Sequence, residues 1–247
     1  MKKNRNELFI GLIFLGLSIA AYTVHYLIFR DPHHIFIYLV GDIAFVFIEV
    51  FLVTLIIHRV LDERDKKQRL EKLNMVIGAF FSEVGTQLLT KMAACDPSRD
   101  ILASRLVIDN KWTCQEFGDV VKWLKVYSFS IDHNRVNWEE FKTLLGEKRD
   151  FLLRLFENQN LLEHESFSEL LQAVFHLAEE LVARNSFTDL PVTDSMHLTG
   201  DVTRGYKLLI VQWALHINHL KKDYPYLFSL AVRQNPFDSA ATVVVKE

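Results

Sequence analysis

Two apolar stretches near the start of this chain, residues 8–29 and 35–57, constrain its fold more than any other feature. Each is about 20 residues or slightly longer, the length an α-helix needs to cross a hydrocarbon core of roughly 30 Å. Between them lies Arg30-Asp31-Pro32-His33-His34, a short polar linker with a helix breaker. The pattern predicts a transmembrane helical hairpin with lipid around it. It also explains why a chain that is 24% charged is nonetheless 50% apolar, since the apolar residues are clustered.

Basic residues set the expected orientation. Lys2, Lys3 and Arg5 precede the first stretch, and Arg59, Arg64, Lys66, Lys67, Arg69 and Lys72 follow the second, whereas the linker holds only Arg30. The excess of Lys and Arg on cytoplasmic flanks puts both termini in the cytoplasm of a cell-membrane protein with two spans. A cleaved signal peptide competes for the first stretch, because Ser18 to Ala21 offers small residues. Its apolar run continues through Tyr22, Tyr26 and Phe29, too far for a signal peptide. Cys95 and Cys114 fit no metal or disulfide pattern, which suits a reducing compartment. A net charge of −3 argues against a nucleic-acid-binding surface.

Beyond residue 58 the spacing of apolar residues is helical, with no alternating strand pattern. Leu70, Leu73, Ile77, Phe80 and Val84 make a short stripe for one helix seam, and Gly78 and Gly85 lie on a similar face. Asp96-Pro97 opens a helix to about Val107. Thr113 with Glu116 has the capping-box spacing, and Asn137 caps a segment from Trp138 to about Phe156. Ser166 with Glu169 begins another helix to about Arg184. Pro191 and Asp194 interrupt, and a long helix covers about Ser195 to Lys222 before Pro225. The expected fold class is all-α, a transmembrane hairpin followed by a cytoplasmic bundle of about six or seven helices. The expected divisions are a hairpin over 1–58, a membrane-proximal helix over 59–93, a helical domain over 94–234 and a flexible tail over 235–247.

The hairpin contains one chemical anomaly. Asp42 and Glu49 interrupt the second apolar stretch seven residues apart, within about 20° of each other on a helix and roughly 10 Å apart along it. Ionisable groups at the centre of a span cost about 2.5–3.5 kcal/mol on insertion scales and face a protein interior or water. Tyr22 and His25 lie at the depth of Asp42 on an antiparallel first span and are its possible partners. At the depth of Glu49 that span offers only apolar residues and Gly16. A partner is therefore implied, either a second copy of this chain or another membrane subunit.

Histidines and carboxylates in the last third raise a metal hypothesis: His164 with Glu165, His176 with Glu179 and Glu180, and His216 with His219. The helical phase weighs against it. Phe167, Leu170, Leu171, Val174, Ala178 and Leu181 define one apolar face, and His176 and Glu180 point away from it. Tyr206, Leu209, Ile210, Trp213, Ile217 and Leu220 form the core stripe of the long helix, with His216 on its flank and His219 outside it. No Glu-x-x-His step appears on these helices, so a solvated polar face is expected, with no metal and no cofactor. Phosphate-binding loops, nucleophile elbows and His-Glu-x-x-His are absent from the sequence. Tyr224-Pro225-Tyr226-Leu227-Phe228 follows Lys221 and Lys222, a composition that suits packing or a contact surface.

These features favour a non-enzymatic membrane protein whose helical cytoplasmic domain oligomerises or docks a partner. The first alternative is a homo-oligomeric cation or proton channel lined by Asp42 and Glu49. The second is a membrane-tethered metalloenzyme.

Overall fold

The computed structural model describes residues 2–158, 161 and 164–245, with side chains from residue 9 onward. The basic side chains of Lys2, Lys3 and Arg5 and the last two residues of the expected tail lie outside the described set. Among the described residues all regular structure is helical. The chain divides into two compact units, residues 1–66 and 67–247.

The first unit holds α1 (Lys2–Phe29) and the leading part of α2 (Pro32–Phe80). Three local devices make the turn between them. Arg30 adopts a positive φ of 50°, and its N–H donates to the Tyr26 carbonyl at 2.8 Å, ending α1. Asp31 Oδ1 accepts from the N–H groups of His33 at 2.9 Å and His34 at 3.3 Å, capping α2, while Pro32 occupies its first position. By length and composition both helices can cross a membrane, with mean hydropathies of 1.9 and 2.5 in their most apolar windows. None of either window is buried within the protein.

The second unit is built around one apolar core. The tail end of α2 is followed by a π-helical turn, Phe81–Gly85, and then α3 (Thr86–Ala94). Leu73, Ile77, Phe80, Phe81, Val84 and Leu88 are all buried. The stretch read as a membrane-proximal helix thus enters this core from Leu73 onward. Next come α4 (Arg99–Leu106), α5 (Cys114–Val126), α6 (Trp138–Glu147) and α7 (Arg149–Phe156). Thr113 and Glu116 form the reciprocal capping box at α5, and Asn137 caps α6. The segment expected as one helix to Phe156 is two, divided at Lys148, so that α6 and α7 both pack on α8 (Glu165–Ala183).

The long α9 (Val192–Asp223) packs most extensively against α8 and then against α5, and α10 (Pro225–Arg233) folds back on it. Pro191 is the N-cap of α9, and Asp194 lies in its first turn rather than interrupting it. Trp213 is 2% exposed at the centre of the α9 stripe. The start of the expected flexible tail is instead part of the core. Asn235 and Phe237 are buried, Asn235 Nδ2 donates to the Leu106 carbonyl at 2.7 Å, and Phe237 meets Trp213 edge-on with ring centroids 5.5 Å apart. These long-range contacts leave no mark on a local sequence pattern.

Candidate functional site

In the first unit α2 carries both carboxylates, and they differ in what they meet. The Tyr22 hydroxyl donates to Asp42 Oδ2 at 3.5 Å, tying α1 to α2. His25 takes a different role, its ring 4.7 Å from that of Phe29 and stacked 5.9 Å from that of His34. Its Nε2 is buried without a hydrogen bond among the described residues. Glu49 is exposed and makes no hydrogen bond or ion pair among the described residues. Its neighbours on α2 are exposed apolar side chains, with Phe47 74% exposed.

The second unit contains a cavity of about 490 Å³ lined by the end of α2, the π-helical turn, α9 and α10. Gly78, Phe81, Trp213, His216, His219 and Leu227 are among its walls. The size falls within the range of small-molecule sites. His216, expected on the flank of the α9 stripe, is buried, because the bulged turn places Phe81 beside it. Burial, then the neighbouring His219, pushes the His216 imidazole down to about 4, so the ring is neutral at physiological pH. Its Nδ1 is buried without a hydrogen bond among the described residues. His219 lies nearer the surface, its Nδ1 2.9 Å from Asp223 Oδ2 and 3.3 Å from Asn74 Nδ2.

Along α10, Phe228 faces the core whereas Tyr226, Leu227 and Leu230 are exposed. The Lys221 ammonium lies 4.9 Å from the centroid of Phe228, so the aromatic run serves both core and surface.

The remaining histidine and carboxylate candidates do not form one group. His164 is the N-cap of α8, its Nδ1 accepting from the Phe167 N–H at 3.3 Å. Glu179 accepts from Arg149 Nε at 2.6 Å. His176 and Glu180 on one side of α8 meet two residues of α9 that no sequence motif marks, His197 and Asp201.

An apolar helix pair bearing an unpaired carboxylate and a separately packed helical domain with an apolar cavity define a two-part all-helical protein. The chain belongs to the family of uncharacterized protein MJ1433. The model of that family's N-terminal helical domain matches residues 2–61, and that of its C-terminal helical domain matches residues 69–233. Uncharacterized protein MJ1433 of Methanocaldococcus jannaschii is 44% identical over 247 residues, spanning 100% of this chain and 99% of the relative. No solved structure matches this chain.

Proposed function

We propose that this chain is a non-enzymatic integral membrane protein, anchored in the cell membrane by α1 and α2, with both ends in the cytoplasm. In this reading it self-associates through the acidic side of the second span, and its helical domain contacts a second copy of the same chain. The observation that carries the reading is the exposure of the apolar helix pair. Phe14, Ile28, Val40 and Phe47 are 67%, 67%, 68% and 74% exposed, and the apolar windows have no protein core around them. Transferring a large apolar side chain out of water is worth about 1.5–3 kcal/mol, so a whole surface of them calls for lipid or partner helices. Glu49 sits in that surface without a partner, and a carboxyl in hydrocarbon seeks a hydrogen-bonding neighbour. A second copy supplies an identical group at the same depth. The exposed Tyr226, Leu227 and Leu230 of α10 supply an apolar surface for the contact between helical domains.

Cross-linking of the full chain in native-like lipid tests this. Wild-type protein and Glu49→Gln, which keeps shape and most hydrogen bonding, should both cross-link as oligomers. Glu49→Leu should weaken assembly. A wild-type chain that stays monomeric in lipid would overturn self-association and point to a different membrane subunit as the partner of Glu49.

A further inference from the structure

The α8–α9 hairpin brings four metal-ligating side chains to one place. Along it, Ser166 meets Gln212, His176 meets Asp201, Glu180 meets His197 and Arg184 meets Asp194. As the numbers rise on one helix they fall on the other, so the helices are antiparallel. That register superposes two i, i+4 pairs, His176 with Glu180 on α8 and His197 with Asp201 on α9, each pair on one side of its helix.

The distances are those of a coordination shell. His176 Nε2 lies 3.5 Å from Asp201 Oδ2, and His197 Nε2 lies 3.4 Å from the same oxygen. Glu180 closes the figure, Oε1 being 4.0 Å from His176 Nε2 and Oε2 3.9 Å from His197 Nε2. The donor atoms of His176, Glu180 and His197 all lie within 4.8 Å of one another. A tetrahedral ion with bonds of about 2.0–2.1 Å holds its donors about 3.3–3.4 Å apart. The two Asp201–histidine edges already match, and the longer Glu180–histidine edges close with a small movement of that partly exposed side chain.

A second observation points to a cation. Asp201 is 6% exposed, yet Oδ2 accepts no hydrogen bond among the described residues. A buried carboxylate oxygen without a hydrogen bond is costly, and the groups this one faces are two imidazole nitrogens, His176 Nε2 and His197 Nε2. The other carboxylate oxygens meet guanidinium groups. Arg204 Nη2 donates to Asp201 Oδ1 at 2.6 Å and Arg184 Nη1 to Glu180 Oε2 at 2.7 Å, while Arg184 Nη2 donates to Asp194 Oδ1 at 2.7 Å. Such outer contacts orient ligands. Three carboxylates, Glu180, Asp194 and Asp201, stand against two guanidiniums, Arg184 and Arg204, which leaves a net negative charge. His176 also lines, with Arg204, a cleft of about 360 Å³.

We infer that His176, Glu180, His197 and Asp201 bind one divalent transition-metal ion of the zinc class, pinning α8 to α9. Four protein donors fill a tetrahedral shell, which is the arrangement of a structural rather than a catalytic ion. The site is independent of the proposed membrane role.

The test uses the full chain in lipid nanodiscs after chelator treatment, titrated with zinc and, separately, with cobalt(II). One equivalent should bind per chain, raise the thermal unfolding midpoint as mass action requires, and with cobalt give the intense visible bands of tetrahedral coordination. His197→Ala and His176→Ala should each weaken binding by at least about tenfold, since losing a ligand exceeds the roughly 10–100-fold cost of losing an outer partner. His133→Ala, in the exposed turn His133–Arg135, should bind as wild type. Both ligand positions are about half-exposed, and helical circular dichroism checks that the variants fold. Wild-type protein that takes up less than one equivalent, or binding that His197→Ala leaves unchanged, would overturn the site.

Discussion

His216 lies flat against Phe81, the ring centroids 5.0 Å apart and the planes 8° from parallel. The stack buries a histidine in an apolar wall and fixes its titration. Its folded value, about 4, lies below its ordinary 6.5, so the unfolded chain binds the proton more readily. The stability contributed by the neutral ring is fully present above 6.5 and is lost as pH falls from 6.5 towards 4. The shift bounds the effect at about 3 kcal/mol. Thermal unfolding in nanodiscs should fall more steeply for wild type than for His216→Phe across this window. Equal slopes would place the imidazole in water rather than against Phe81.

The π-helical turn depends on a missing side chain. A Cβ on Gly85 would lie 2.7 Å from Phe81 Cδ1 and 2.8 Å from Phe80 Cε1, atoms of buried rings with little room to move. Gly85→Ala should destabilise the chain by about 1–3 kcal/mol, the usual cost of overpacking. A Cβ on Gly78 would meet only His216 Cε1 at 3.7 Å, an ordinary contact. Gly78→Ala should therefore be neutral or stabilise by up to about 1 kcal/mol through helix propensity. Unfolding midpoints that reverse this order would contradict the packing of the turn.

Asn235 acts as a clasp on α4. It donates to the Leu106 carbonyl at 2.7 Å and accepts from the Phe237 N–H at 2.9 Å. Asn235→Ala leaves both groups buried and unpaired, a loss of about 1–3 kcal/mol. Phe237→Ala opens a void beside Trp213 and should lose about 3–5 kcal/mol. Retention of the wild-type midpoint by both variants would return this segment to the status of a tail.

Topology is the cheapest expectation to check. Reporter fusions at the two ends should both give the cytoplasmic signal, because Arg30 is the one basic residue in the linker between the apolar stretches. A signal from outside at the C-terminal fusion would contradict the orientation and the argument from Cys95 and Cys114.

What was legible in the sequence was local. The capping box of Thr113 and Glu116, the Asn137 cap and the stripe around Trp213 involve residues within a turn or two of one another, so spacing alone reveals them. The break at Lys148 has no proline and only Gly146 two residues before it as a local signal, whereas α6 and α7 each pack on α8. His197 and Asp201 do not stand out on a helix compared with its own apolar stripe, because their approach to His176 and Glu180 depends on the register of two helices. A signal was present: the same His-x-x-x-carboxylate step stands on both sides of the loop that Arg184 and Asp194 close. The burial of His216 is likewise invisible to spacing, since the turn that covers it comes from a distant part of the chain.

Alkaline carbonate extraction of cells expressing the full chain decides whether α1 and α2 lie in a membrane. The intact chain should stay in the membrane pellet and leave it only with detergent, as a pair of lipid-embedded helices must. Release of the full-length chain into the carbonate supernatant would contradict it, as would recovery of a soluble chain cleaved between the first apolar stretch and the second.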